Sequence, residues 1–354
     1  MKGLTDIAGI RVGHATDLEA LTGCTVILCE GGAVAGADIR GSASGTEEFP
    51  VMSPLHITDV IHAVVLAGGS AFGLEAASGV RRFLEQRGVG FATRAAKVPI
   101  VPCAILYDLG IGKSSVRPTR EMGEAAAAAA HAEAVEEGAV GAGTGATVGK
   151  LFGMSCAMKS GLGSATVALE DRYAGVLVAA LAVVNAFGDV RDPDTGELVA
   201  GARRAPDSME LADTSRHLLR GVRGGFSQQN TTLVVVATNA RLTKVEAMKL
   251  AQLAQNGLAR AISPAHTMFD GDLVIALSLG SHQADVNALG VAAAQAVSRA
   301  ILRAVRLAPS LGGLPGLASS ESATRRVKRG RAIPWRGGLG TRPRQDALPR
   351  PDTY

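Results

Sequence analysis

The chain reads as one large α+β domain in which helices lie close on sheets, and three observations carry that reading. Stretches of strand and helix character alternate without the regular strand–helix–strand repeat of a parallel α/β fold. Apolar residues make up 47% of the 354 residues but aromatics only 3%, against 44 glycines. Small side chains must therefore fill the core, which brings the layers close together. No linker or tandem repeat divides residues 1–310, so one domain is expected there rather than two.

The elements follow in chain order. Thr25-Val26-Ile27-Leu28 and Ala63-Val64-Val65-Leu66-Ala67 are strand-length apolar runs, and the second passes through Gly68-Gly69-Ser70 into a helix ending near Gly88. Residues 118–137 open on Pro118-Thr119, run through an alanine stretch and stop at Gly138, which predicts a helix. The stretch from there to Lys150 is glycine-rich. Residues 176–185 predict a long apolar strand, 189–196 a turn, and 200–230 a polar connection. Beyond it come a strand from Thr231, a helix over 244–261, a strand over 273–277 and an amphipathic helix over 285–307.

The net charge of +4 is uneven. Residues 321–354 hold nine Lys and Arg against Glu321, Asp346 and Asp352, leaving 27 Lys and Arg and 29 Asp and Glu, a net −2, for residues 1–320. The Arg325-Arg326-Val327-Lys328-Arg329 run has the charge to touch an anionic surface. Pro, Gly and Arg without periodicity nevertheless predict a disordered basic tail over 311–354, and no nucleic-acid partner is expected. Cys24, Cys29, Cys103 and Cys156 show neither a C-x-x-C pair nor histidines at zinc-finger spacing, which fits a reducing compartment. There is no secretory pattern and no stretch of about 18 uninterrupted apolar residues, so a soluble cytoplasmic protein without membrane association is expected.

Chemistry is concentrated in a few places. Thr231 stands where the polar connection turns into the strand Leu233-Val234-Val235-Val236. A hydroxyl there can attack the carbonyl of Asn230, pass through an ester and emerge as the first residue of a new chain. Its α-amine then serves as base, with a reference pKa of roughly 7.7–8.0. Threonine is also an ordinary strand residue, so this position alone does not decide. Gly141 to Lys150 resembles a phosphate loop, but Thr144 stands where the first required glycine belongs and Leu151 where Ser or Thr would hold magnesium. What survives is a flexible glycine chain delivering Lys150, with backbone N–H groups free for an anion or oxyanion. Gly68 to Gly73 misses the nucleophile-elbow pattern and reads as close packing. His266, Asp270 and Asp272 precede a strand. They make an incomplete metal set, a plain turn, or a carboxylate pair that accepts hydrogen bonds from the threonine hydroxyl and its α-amine.

Taken together, six motifs occur in one order: Val65 to Ala76, Ala104-Ile105-Leu106-Tyr107-Asp108, the glycine run ending in Lys150, Val183-Val184-Asn185-Ala186-Phe187-Gly188, Asn230-Thr231-Thr232, and His266-Thr267 with Asp270-Gly271-Asp272. Over residues 4–310 the chain resembles the self-processing D-aminopeptidase and β-peptidyl aminopeptidase family, and within it the nylon-oligomer (6-aminohexanoate-oligomer) endohydrolase branch. The resemblance implies a four-layer αββα sandwich of the aminopeptidase/ornithine acetyltransferase type. It also implies one cut, into 1–230 (α chain) and 231–354 (β chain), which stay together, and a homo-oligomer of tetramer size or larger.

Carried onto this sequence, the resemblance makes Thr231 the nucleophile, Asp270 and Asp272 the carboxylates beside it, Asn185 and Lys150 the other polar catalytic positions, and Tyr107 a substrate-lining residue. Lys159 is a competing lysine. The implied activity is hydrolysis of amide bonds in small peptides or amino-acid-derived oligomers through an acyl-threonine ester, with no metal or organic cofactor. The aminopeptidases use serine as nucleophile and have Ser-Gly-acid where this chain has Asp270-Gly271-Asp272, which leaves the substrate open. An acyltransferase of the ornithine acetyltransferase type, or a non-catalytic ligand-binding sandwich, are the alternatives.

Overall fold

A computed structural model of the chain describes residues 1–222, 230–319 and 333–334. Strands β1 (Arg11–Asp17), β2 (Thr22–Ile39), β3 (Gly45–Glu47), β4 (Ile61–Ala67) and β5 (Cys103–Ile105) build a first sheet in the order β1-β2-β4-β5-β3. Strands β6 (Leu162–Ala168), β7 (Leu177–Asn185), β8 (Thr231–Ala240) and β9 (Leu273–His282) build a second, in the order β6-β7-β8-β9. The second sheet is completed by β2 itself. The first half of β2 pairs with β1 and β4, and its second half lies antiparallel to β9. The register of β2 against β4 slips between Leu28 and Ala33. Gly32, at φ +89 in that interval, supplies a backbone conformation that side chains resist.

Strand periodicity then sorts side chains into layers. Ile27, Leu66 and Ala104 from the first sheet meet Leu181, Val235 and Ile275 from the second in a core between the sheets. The outer face of the first sheet (Val26, Val65, Cys103) packs on helices α1 (Ala76–Gln86) and α2 (Arg120–Ala128). The outer face of the second (Ala180, Val236, Val274) packs on α3 (Lys244–Ala261) and α4 (Val286–Arg306). The result is the four-layer αββα sandwich that the resemblance implied. Helix α4 is long and apolar enough to span a bilayer, yet its Leu289, Ala293 and Val297 are buried against α3 and the sheet.

Helix ends follow local capping chemistry. The Thr119 hydroxyl accepts the Met122 N–H at the start of α2, and Thr243 with Glu246 forms a reciprocal capping box at α3. The helix expected over 118–137 ends early, at Ala128. His131 instead exchanges backbone hydrogen bonds with Val12 of β1, and the Val135 N–H reaches the Lys2 carbonyl. Tertiary pairing thus overrides the alanine run's helix propensity.

The boundary drawn at residue 310 also moves. Leu314 fills a small cluster with Leu21, Ile111 and Ala157, and the Pro315 carbonyl accepts the Lys159 N–H, so residues 311–319 pack on the body. The rest of the expected tail lies outside the described residues apart from Ile333–Pro334, which pairs parallel with Ala15–Thr16.

Small residues set the layer spacing as composition required. A Cβ on Gly123 of α2 would stand 1.9 Å from the Ala76 carbonyl oxygen of α1. Gly123→Ala is therefore expected to force these helices apart and lower stability by about 1–3 kcal/mol, read as a shift in the denaturant midpoint.

Candidate active site

The topology brings three strand ends together. Thr231 opens β8 in register with Asn185, the last residue of β7, while Asn230 bridges to Asp270 just before β9. Thr231 is buried, and its Oγ–H donates to the carbonyl oxygen of Asn230 at 2.5 Å. The Gly271 N–H donates to the same oxygen at 2.8 Å. The Thr231 hydroxyl thus touches the carbonyl group that the expected self-cleavage would have it attack, with the Asn230–Thr231 bond intact.

The carboxylates are placed differently from expectation. Asp270 Oδ1 accepts the Phe187 N–H at 3.0 Å and Oδ2 accepts the Thr267 hydroxyl at 2.5 Å. Asp272 Oδ1 accepts the Thr232 N–H at 2.7 Å and Oδ2 the His266 N–H at 2.9 Å, with His266 Nδ1 3.2 Å from that oxygen. With the Asn230–Thr231 bond intact, then, Asp272 holds the backbone just after Thr231 and Asp270 the backbone two residues beyond Asn185, and neither holds the Thr231 hydroxyl. The α-amine they were expected to hold is here still a peptide nitrogen. Burial, then the negative charge of Asp272, pushes the Asp270 carboxyl up to about 6. Among the described residues, no cluster of three His, Cys, Asp or Glu side chains has metal-binding geometry.

Lys150 is buried and donates from Nζ to Asn185 Oδ1 and to the Asn185 carbonyl, both at 2.9 Å. Together with the Thr147 N–H, 3.1 Å from the same Oδ1, it fixes the orientation of the Asn185 amide, whose Nδ2 donates to the Tyr107 carbonyl at 3.0 Å. Tyr107 is thereby next to the site through its backbone. The competing Lys159 spends its ammonium on the carbonyls of Gly143, Ala146 and Ser160 and ties the glycine run down. Lys150 is the lysine that the fold sets against Asn185.

The glycine run is not a flexible chain with free donors. All of residues 141–150 are buried, and the N–H groups of Gly141, Ala142, Gly143, Thr144, Ala146, Thr147, Gly149 and Lys150 are bonded within the protein. Gly149, at φ +72, lies so close to residues 201–202 that a Cβ would stand 1.9 Å from the Ala202 nitrogen. Glycine is there for approach, and no anion cradle results.

Burial lowers both lysines to about 7, Lys150 against the opposing pull of Asp270 and Asp272. Each is protonated in the unfolded chain up to about pH 10 but loses its proton near 7 when folded, so the unfolded state binds more protons across that window. Stability is therefore expected to rise from pH 7 to about pH 9, by up to about 1.4 kcal/mol per pH unit per lysine. Lys159→Met should flatten that rise in denaturant unfolding of the uncut chain.

Of the residues now seen around Thr231, sequence reading had not singled out Gly271, Thr267, Phe187 or Thr147 for a role. Gly271 carries one signal, a glycine between two carboxylates. The rest act through backbone or hydroxyl groups that have no pattern of their own.

Likenesses to known proteins place the chain in a family. Residues 2–318 match peptidase family S58. A Mycobacterium bovis protein described as an uncharacterized aminopeptidase is 39% identical over 345 residues, covering 89% of this chain and 96% of that one. The 6-aminohexanoate-oligomer endohydrolase of Kocuria sp. is 30% identical over 322 residues, covering 85% of each. A β-aminopeptidase from Burkholderia sp. has the same fold, with a TM-score of 0.65 at 24% identity over 95% of both chains. So has the L-aminopeptidase D-Ala-esterase/amidase of Ochrobactrum anthropi, described as a variant of the Ntn hydrolase fold, with a TM-score of 0.68 at 19% identity over 93% of this chain and 94% of that one. Since the match runs through both sheets and both helical layers, from before β1 to beyond α4, the chain belongs to peptidase family S58 and is a hydrolase of amide bonds.

Proposed function

We propose that this hydrolase matures by cutting itself between Asn230 and Thr231 and then uses the freed Thr231 as its nucleophile. The observation that carries the reading is the buried Thr231 hydroxyl in contact with the Asn230 carbonyl, at a strand end shared with Asn185, Asp270 and Asp272. In turnover, Thr231 Oγ attacks a substrate amide while its α-amine takes the proton and returns it to the leaving amine. Asp270 and Asp272 accept hydrogen bonds around the new N-terminus. The Asn185 amide, oriented by Lys150, donates Nδ2 to the developing oxyanion. Water then releases the acyl group from the threonine ester.

Substrates are short peptides or oligomers of amino acids, 6-aminohexanoate oligomers among them. The two fragments stay associated because strands of one flank strands of the other in the second sheet. We further propose a cytoplasmic enzyme, in keeping with four buried, unpaired cysteines, and a homo-oligomer. The exposed Leu55 and Ile57, on a loop that Lys244 holds through the Val51, His56 and Thr58 carbonyls, offer an apolar surface for assembly.

Intact mass under denaturing conditions tests the central claim. Two fragments meeting at Asn230/Thr231 are expected, and a single chain after prolonged incubation would end the N-terminal nucleophile reading. Release of product from p-nitroanilides and 6-aminohexanoate oligomers, assayed beside acetyl transfer from N-acetylornithine, separates hydrolysis from acyl transfer.

A further inference from the structure

Resting on that self-cleavage reading, we propose that the backbone N–H of Gly271 is the oxyanion donor of the maturation step. It already lies 2.8 Å from the Asn230 carbonyl oxygen, the atom on which negative charge develops when Thr231 Oγ attacks. A second hydrogen bond to that oxygen comes from the attacking hydroxyl itself, at 2.5 Å, and is lost as that hydroxyl gives up its proton. The Gly271 bond is thus one that strengthens toward the transition state, which is the condition for a catalytic contribution.

The donor is held rigidly. The carbonyl of the same peptide unit, that of Asp270, accepts the Ala43 N–H at 2.9 Å, so the unit is polarised from both ends. Two residues on, the carbonyl of Asp272 accepts the N–H groups of Arg40 and Gly41, both at 3.0 Å. On the near side, the Asp270 side chain is pinned by Phe187 and Thr267. A Cβ at position 271 would stand 2.7 Å from Thr231 Oγ and 2.6 Å from the Ala43 oxygen, so only glycine lets the donor and the hydroxyl reach one carbonyl together.

The step balances without a co-reactant other than water. Thr231 Oγ bonds to the Asn230 carbonyl carbon, the carbon–nitrogen bond to Thr231 breaks, and the hydroxyl proton ends on that nitrogen. Water then adds to the ester carbon and the bond to Oγ breaks, leaving the Asn230 carboxyl group and a free Thr231.

The test replaces Gly271 in the full chain with glycolic acid by nonsense suppression, which exchanges the N–H for an ester oxygen and keeps the shape. Self-cleavage, followed by mass, is expected to slow about 10²- to 10³-fold. Once matured by long incubation, the variant is expected to lose at least about tenfold less in kcat than it lost in cleavage rate. Cleavage at the wild-type pace, or an equal fall in both rates, overturns the assignment.

A second measurement does not depend on the ester variant folding. In Thr231→Ala chains the Gly271 amide should be strongly protected from hydrogen exchange, and exchange at the rate of an exposed amide would also overturn the proposal. If wild-type chains fail to cleave at all, the nucleophile reading falls. If they cleave and the ester chain keeps pace, only the role of Gly271 falls.

Discussion

Thr231→Ala is expected to give a single intact chain with no measurable amide hydrolysis. The substitution removes one hydroxyl and one methyl from a buried strand residue and leaves the β7–β8–β9 pairing untouched. The fold should persist, so the loss is chemical. In the proposed scheme both acts need the same oxygen: without Oγ no ester forms at Asn230, the α-amine is never freed, and turnover lacks nucleophile and base together. Removing the nucleophile of a hydrolase that acts as one unit with its base costs on the order of 10⁶-fold in kcat, below detection in an ordinary assay. Intact mass and p-nitroanilide hydrolysis on the same preparation check both halves. Fragments separated between positions 230 and 231 in the alanine chain would show that another group does the cutting.

Asn185→Ala is expected to lower kcat about 10²- to 10³-fold with a much smaller change in KM. That is the signature of losing an oxyanion donor that acts chiefly in the transition state. Lys150 and the Thr147 N–H both claim Oδ1, leaving Nδ2 as the end that donates. The alanine change also strips the buried Lys150 ammonium of one acceptor while leaving the backbone carbonyl of residue 185 in place. A stability loss of about 1–3 kcal/mol should accompany it. Denaturant unfolding measures that loss separately, and a kcat within about threefold of wild type in a folded variant would remove Asn185 from the chemistry.

Much of the scaffold was legible because its strands are buried on both faces. The runs at 176–185 and from Thr231 read as strands from continuous small and β-branched residues, and the helix over 244–261 agreed with its observed ends because Thr243 and Glu246 cap it. The long β2 was read only as Thr25 to Leu28. Its later half, Ala33 to Ile39, is broken by glycine and alternates weakly, so its service in two sheets shows only in three dimensions.

The same limit applied to the site. Thr231, Asp270 and Asp272 stand out in the sequence, and the fold brings them to one place. The partners of the carboxylates were not foreseen, because they are N–H groups of Phe187, Thr232 and His266 that any residue would supply. The glycine run reads as flexible in the sequence and is close-packed in the fold, since composition alone does not distinguish the two.

In the second sheet β8 and β9 lie between β7 on one side and β2 on the other. Before the cut, all four strands belong to one polymer and refolding is unimolecular. After the proposed cut the middle pair would belong to a different polymer from its neighbours. A matured sample returned from denaturant must then reassemble by collision, and its yield should fall on dilution while that of the Thr231→Ala chain does not. One peptide bond would thus separate an enzyme that can be unfolded and recovered from one whose persistence rests on how slowly it comes apart.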